Sequence, residues 1–127
     1  MKLASIDVGL KRIGVAICLT SNIVTPQTAI LRKNRDQAAA DVNAFLKEWE
    51  IEKLIVGFPS ASIDMQNRIK HFVGLLNLSI PYEFCEENMS SIEAEEMIKG
   101  EIKYKRDGRI DSLAAKIILE RYLTKKP

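Results

Sequence analysis

The sequence predicts a mixed α/β fold, with a five-stranded sheet whose first three strands are antiparallel and with helices on both faces. Two apolar segments, residues 2–7 and 13–19, are separated by a glycine-containing turn, which is the pattern of a β-hairpin. Short apolar runs then alternate with segments of helical period. The chain has 127 residues, of which 46% are hydrophobic. That size fits one domain, which we assign to residues 1–127.

The strands and helices can be predicted in order along the chain. The first strand ends at Gly9, the second contains Gly14, and a third, residues 28–32, follows the break at Pro26. From Arg35 onward, apolar residues recur at three- and four-residue spacing, which is typical of an amphipathic helix. The later elements are a strand at 53–58, a helix at 63–78, a strand at 82–85, a helix at 90–99, a charged loop at 100–108 and a helix at about 110–123.

The resulting order, β-β-β-α-β-α-β-α-α, is the order expected of a ribonuclease H-like α/β domain. Flavodoxin-like folds also alternate strands and helices, so the order alone leaves both open. Antiparallel hairpin strands come first and strands that alternate with helices follow, which predicts a mixed sheet with helices on both faces.

Composition excludes several classes of protein. Lys and Arg number 19 against 17 Asp and Glu, so any basic surface must come from local clustering. No apolar segment approaches the ~20 residues that span a bilayer, and Asp7 comes too early for a signal peptide. Cys18 and Cys85 are expected to be free thiols in a reducing cytoplasm. A single histidine and no cysteine cluster exclude a structural zinc site.

The first candidate for chemistry is Asp7, which interrupts an apolar strand close to its end. A carboxylate there is costly to bury unless it binds a cation or finds hydrogen-bond donors. Gly9 leaves room for a metal or substrate beside it, and Lys11 and Arg12 could hold a phosphate. The alternative is that Asp7 caps the hairpin and the basic pair is a solvated turn.

A second acidic point, Glu86-Glu87, follows the strand at 82–85. Adjacent residues of a strand point to opposite faces, so only one of the two could join Asp7. The alternative is the polar entry to a loop. Just beyond, Ser90 and Glu93 match a capping box, which is a structural role.

The third acid, Asp111, opens the last helix on the side that carries Ala114 and Ala115. It could equally be an ordinary N-cap. The nearby basic residues could form a rim around the acids or a solvated loop; they are Lys103, Lys105, Arg106 and Arg109. Three acids from two strand ends and a helix start are together what a two-metal phosphodiester site requires, because oxygen ligands suit Mg²⁺ and Mn²⁺.

Four segments resemble the motifs of one family. They are Asp7-Val8-Gly9-Leu10-Lys11-Arg12-Ile13-Gly14-Val15-Ala16, Ile55-Val56-Gly57-Phe58-Pro59, the run from Glu86 to Glu95, and Asp111 with Ala114-Ala115 and Ile118-Leu119. The family is YqgF, also called RuvX, whose ribonuclease H-like members are described as Holliday junction resolvases and as pre-16S rRNA nucleases. The resemblance spans the whole chain in the right order.

The resemblance implies a metal-dependent endonuclease that acts on structured nucleic acid. The expected process is 5′-end maturation of precursor 16S rRNA in ribosome biogenesis, with Holliday junction resolution in DNA repair as the alternative. The implied catalytic and Mg²⁺- or Mn²⁺-binding residues are Asp7, Glu86 and Asp111, with Glu87 in reserve. The implied nucleic-acid contacts are Lys11, Arg12, Lys105, Arg106 and Arg109, and the implied structural residues are Gly9, Gly14, Ser90 and Glu93. A cytoplasmic monomer or homodimer without membrane contact is expected.

The chain departs from the family pattern at one motif. The family usually has Asp-Glu-Arg and a Thr pair where this chain has Glu86-Glu87-Asn88 and Ser90-Ser91, and the loop after Pro59 lacks a glycine-rich stretch. One rival hypothesis is therefore a non-catalytic nucleic-acid-binding module of the same fold. Another is a nucleotide phosphotransferase, because an Asp-x-Gly turn also begins actin- and sugar-kinase-like domains, but those need two lobes to enclose ATP.

Overall fold

The computed structural model describes residues 1–20, 22–86 and 109–125. The predicted helix at 90–99 and the charged loop at 100–108 lie outside these residues. The described elements are β1 (Leu3–Val8), β2 (Arg12–Cys18), β3 (Thr25–Leu31), α1 (Arg35–Glu48), β4 (Lys53–Phe58), α2 (Ile63–Leu76), β5 (Tyr82–Glu86) and α3 (Arg109–Lys125).

The five strands form one mixed sheet in the order β3-β2-β1-β4-β5. β1 pairs antiparallel with β2, and β2 pairs antiparallel with β3. β4 pairs in parallel with both β1 and β5. The mixed sheet and its antiparallel first half are thus confirmed. Because β1, β4 and β5 run in the same direction, their carboxyl ends meet at one edge of the sheet, beside the β1–β2 turn.

Each face of the sheet carries its own apolar core. Ala4, Ile6 and Val8 of β1 pack with buried residues of α1 and α2. The alternate residue Leu3 packs with buried residues of α3, and Ser5 hydrogen-bonds to the α3 backbone. The prediction of helices on both faces is therefore correct. Because alternate residues of a strand share a face, Asp7 lies on the face that packs against α3, and its side chain can contact residues of that helix.

The third strand begins earlier than predicted. It starts at Thr25 and includes Pro26. The sequence predicts a break at Pro26 and a strand that begins only at residue 28. Proline lacks a backbone N–H, but β3 lies at the edge of the sheet that the described strands form, so one side of its backbone pairs with none of them. The register with β2 shifts between Ile13 and Val15, beyond the pair that Pro26 forms with Ala16.

Side-chain caps set the starts of the first two helices. Asn34 and Gln37 form a reciprocal capping box at the start of α1, and Ser62 accepts a hydrogen bond from the backbone N–H of Met65 at the start of α2. α2 ends at Leu76, two residues before the predicted end. Asn77 adopts a left-handed conformation with φ of 47°, which terminates the helix.

Both cysteines are buried free thiols, as expected. Burial raises the pKa of the Cys18 thiol and the pKa of the Cys85 thiol, so both remain protonated at neutral pH. None of the helices in the described part of the chain is long and apolar enough to cross a membrane.

Candidate active site

Asp7 lies near the carboxyl end of the central strand β1 and is only 8% exposed. It is directly opposite Gly14 in the antiparallel pair of β1 and β2. Residues that face each other in this way have their side chains on the same face of the sheet. The Asp7 carboxylate therefore faces α3, and so does the position that a Cβ would take on Gly14.

Gly14 brings Asp111 close to Asp7. A Cβ on Gly14 would overlap the backbone carbonyl of Asp111 and would lie 2.8 Å from the backbone nitrogen of Ser112. Contacts this short to backbone atoms do not occur between real side chains, so the first turn of α3 can sit here only over a glycine. The sequence thus places two acids, from β1 and α3, around one glycine.

Two buried hydroxyl groups fix α3 at this position. The Ser5 hydroxyl donates a 2.6 Å hydrogen bond to the carbonyl of Ala115, and the Ser112 hydroxyl accepts one of 3.4 Å from the backbone N–H of Val15. Both serines are buried, and sequence reasoning did not single out either of them. Their signal in the sequence is a small polar residue within an otherwise apolar strand or helix face.

Asp111 is held by Arg12. The Arg12 Nε lies 3.0 Å from Asp111 Oδ2, and the two side chains are 29% and 28% exposed. Because α3 begins at Arg109, Asp111 lies within its first turn and is not an N-cap. The Arg12 guanidinium has five N–H donors and uses its Nε here, so it can orient Asp111 and still bind a phosphate.

Glu86 lies on the other side of the sheet from Asp7. It pairs with Phe58 at the end of β5 and shares a face with Phe84, which packs against the core of α1 and α2. Its carboxylate accepts a 3.1 Å hydrogen bond from the Ser60 hydroxyl. Cys85, the preceding residue, faces α3. Within residues 1–20, 22–86 and 109–125, no three acidic, histidine or cysteine side chains form a group able to hold a metal ion.

The other predicted site residues divide into two groups. Lys11 is exposed in the β1–β2 turn, and with Gly9, Leu10, Arg12 and Asp111 it lines an open cavity of about 500 Å³. The second group lies outside the described part of the chain: Glu87, Ser90, Glu93, Lys103, Lys105, Arg106 and the side chain of Arg109.

Arg32 supports the β1–β2 turn and was not predicted to do so. It donates a 2.9 Å hydrogen bond from its guanidinium to the carbonyl of Gly9, and its backbone N–H donates to the carbonyl of Lys11 at 2.9 Å. A Cβ on Gly9 would lie 2.6 Å from the carbonyl oxygen of Arg12, so the tight turn also requires glycine. The only signal in the sequence is a basic residue directly after a strand.

Comparison with known proteins shows what the chain is similar to. Residues 1–125 match the model of the family described as "RuvX: Holliday junction resolvase". A protein of Sulfurovum sp. (strain NBC37-1) named "Putative pre-16S rRNA nuclease" is 64% identical, covering 98% of this chain and 99% of the relative. A protein of the same name from Sulfurimonas denitrificans is 51% identical, covering 99% of each chain.

Solved structures with a similar fold are more distant in sequence. T. thermophilus RuvC in complex with a Holliday junction substrate has a TM-score of 0.59 at 14% identity, covering 98% of this chain and 97% of that one. The Fowlpox virus resolvase in complex with Holliday junction DNA has a TM-score of 0.58 at 17% identity, covering 98% and 100%. At these identities the likeness establishes the ribonuclease H-like fold and nothing finer.

Proposed function

The chain belongs to the RuvX family, and from that membership we propose that it is a metal-dependent endonuclease that acts on structured nucleic acid in the cytoplasm, with precursor 16S rRNA as the substrate. The observation that carries the proposal is the buried Asp7 carboxylate at the edge of the sheet where three strands end, on the face where the first turn of α3 brings the backbone of Asp111 against Gly14. The names of the relatives favour the rRNA substrate, and the family description favours Holliday junction DNA as the second candidate.

Asp7 and Asp111 fit a hard divalent cation. Both provide carboxylate oxygens, which Mg²⁺ and Mn²⁺ prefer. Asp7 is buried, and a bound cation would stabilise the charged form of a buried carboxylate. When bound, divalent ions would lower the pKa of a water and stabilise the leaving oxygen of a phosphodiester.

The chain's own groups would position the substrate around these carboxylates. Arg12 orients Asp111 through the 3.0 Å ion pair. Its remaining N–H donors and the exposed Lys11 ammonium line the same open cavity, where they would bind phosphates on either side of the cleaved bond. Such contacts set the register of the strand and carry no sequence information.

The third metal ligand is assigned here to Glu87. Glu86 lies on the same face of the sheet as Phe84, which packs against α1 and α2, whereas Asp7 lies on the face that packs against α3. Since only one of two adjacent strand-end carboxylates can join Asp7, the neighbour of Glu86 is the candidate. This choice differs from the sequence-based preference for Glu86 and uses the residue that was held in reserve.

Replacing each of the two glutamates with glutamine in a separate variant tests this assignment. Glu87→Gln is expected to lower metal-dependent cleavage by roughly 10²-fold or more, because a neutral amide is a poor ligand for a hard cation. Glu86→Gln, the matched control, should stay within a few-fold of wild type because glutamine still accepts from Ser60. The measurement is the single-turnover cleavage rate at several Mn²⁺ concentrations. A large loss in Glu86→Gln with none in Glu87→Gln would reverse the assignment.

The proposed substrate is tested with a matched pair of nucleic acids. Purified protein is incubated with an RNA containing the 5′ precursor region of 16S rRNA and with a four-way DNA junction, each with Mn²⁺, with Mg²⁺ or with EDTA. We expect cleavage of the RNA that depends on the metal. Symmetric cleavage of the junction alone would support the second candidate, and no cleavage of either would favour a binding module.

A further inference from the structure

A second cavity lies on the other side of the β1–β2 turn from Arg12 and Asp111. It has a volume of about 340 Å³ and is bounded by the turn, the start of α1 and the part of α2 from Met65 to His71. Its described lining contains no aspartate or glutamate but carries four basic side chains: Arg32, Arg35, Arg68 and His71. Three arginine guanidinium groups, which are always positively charged, surround this one cavity and indicate an anionic ligand.

The fold collects these side chains from distant parts of the sequence. Arg32 and Arg35 flank the connection from β3 to α1. Arg68 and His71 are three residues apart on α2, so they share one side of that helix. A guanidinium nitrogen of Arg35 lies 3.3 Å from His71 Nε2, and because arginine has no acceptor, the imidazole nitrogen must accept this hydrogen bond. The two helices therefore present their basic groups together.

No ion pair between described residues involves an arginine of this cavity. The ion pairs found in the described part of the chain join Lys2 to Glu50, Arg12 to Asp111 and Lys53 to Glu83, and none involves a cavity arginine. Arg32 has a structural role, because it holds the Gly9 carbonyl and lies over the ring of Phe72, 5.4 Å from its centre. Arg35 and Arg68 are exposed and are therefore the groups able to turn toward a ligand.

We propose that this cavity is a second phosphate-binding subsite, which takes a backbone phosphate of the bound nucleic acid away from the cleaved bond. The inference rests on the proposed function and extends it from the Asp7 site to the flanking strand. Gly9 and Leu10 line both this cavity and the one that contains Arg12 and Asp111. A strand that crosses the turn would thus contact one cavity and then the other, and the subsite would fix which phosphate reaches the carboxylates.

Binding measurements on three variants test the subsite. Arg35→Gln and Arg68→Gln each remove one exposed charge from the cavity, while Lys47→Gln removes one from the last turn of α1, near the opposite edge of the sheet. Binding to the precursor RNA is measured in EDTA over a range of salt concentrations. Each cavity variant should weaken binding roughly tenfold and lower the log–log salt slope by about 0.7–0.9, the value for one lost phosphate contact. Lys47→Gln should change neither quantity.

A neutral phosphate analogue identifies the contact. Single methylphosphonate linkages are placed along a DNA junction strand, one position at a time. At one position away from the cleaved bond, the analogue should weaken wild-type binding but add nothing in Arg68→Gln, because both changes remove the same contact. Additive losses at every position, or cavity variants that bind like Lys47→Gln, would overturn the subsite while leaving the nuclease proposal standing.

A titration with inorganic phosphate distinguishes a subsite for backbone phosphates of nucleic acid from a site for a free phosphate compound. Weak binding of inorganic phosphate, together with the losses on nucleic acid, supports a backbone subsite. Tight binding that is lost in Arg68→Gln, with unchanged affinity for nucleic acid, would make the cavity a site for a free phosphate compound and overturn the inference. Failure of the wild-type protein to bind either nucleic acid would overturn both this inference and the proposed function.

Discussion

Replacing Asp7 with asparagine is expected to abolish metal-dependent cleavage while the protein remains folded. The carboxylate is buried at the end of β1 on the face where α3 contributes Asp111. Asparagine has nearly the same shape but no charge, so it packs in the same space and is a poor ligand for a divalent ion. A loss of several kcal/mol of transition-state stabilisation corresponds to a decrease of about 10³-fold or more in the single-turnover rate.

The same variant separates catalysis from binding. In EDTA, Asp7→Asn should bind nucleic acid at least as tightly as wild type, because a negative charge near the scissile phosphate has been removed. Asp41→Asn is the matched control, since it makes the same change at an exposed position of α1. Circular dichroism and thermal melting verify the fold of both. Cleavage that survived in Asp7→Asn would exclude the proposed mechanism, and a wild-type protein that binds without cutting would establish the binding module.

Much of the fold could be predicted from local patterns. The hairpin, the change from strand to helical period at Arg35 and the apolar run at 53–58 each depend on residues close together in the sequence. The start of β3 could not be predicted in this way. Pro26 is a strand breaker by its own chemistry, and it is tolerated only because β3 has an open edge, which is a property of the whole sheet.

The candidate site could be predicted only in part. Asp7 stands out because a charge interrupts an apolar strand, whereas the choice between Glu86 and Glu87 depends on which face of the sheet the preceding strand residues occupy. A shift of one residue along a strand exchanges the two faces, and the sequence alone does not fix that shift. In the structure Cys85 faces α3 and Phe84 faces α1 and α2, so Glu86 lies on the face of the sheet opposite to Asp7.

The basic cavity had no local signal at all. Arg35 is the first residue of α1, and Arg68 lies on α2 with other polar residues, so the sequence alone indicates an ordinary surface charge at each position. Only the packing of α1 beside α2, next to the β1–β2 turn, brings them to one cavity. The net charge of +2 conceals this arrangement because acids elsewhere in the chain balance it.

Replacing Gly14 with alanine is expected to cause the largest loss of stability among single-methyl changes near the site. The new Cβ would overlap the backbone carbonyl of Asp111 and lie 2.8 Å from the nitrogen of Ser112. These are backbone atoms of α3, so the whole first turn of the helix must move. Overpacking of this kind costs about 2–3 kcal/mol in the free energy of unfolding, or roughly a 10 °C decrease in Tm for a chain of this size.

The same substitution should also decrease cleavage, because moving the first turn of α3 separates Asp111 from Asp7 and strains its ion pair with Arg12. Gly74→Ala is the matched control. A Cβ at Gly74 would meet no atom within 4 Å, and alanine favours a helix, so this variant should be as stable as wild type or more stable by up to about 1 kcal/mol. Urea unfolding and single-turnover cleavage are measured on both variants. If Gly14→Ala matched wild type in both measurements, the close approach of α3 to β2 would not be what brings the two carboxylates together.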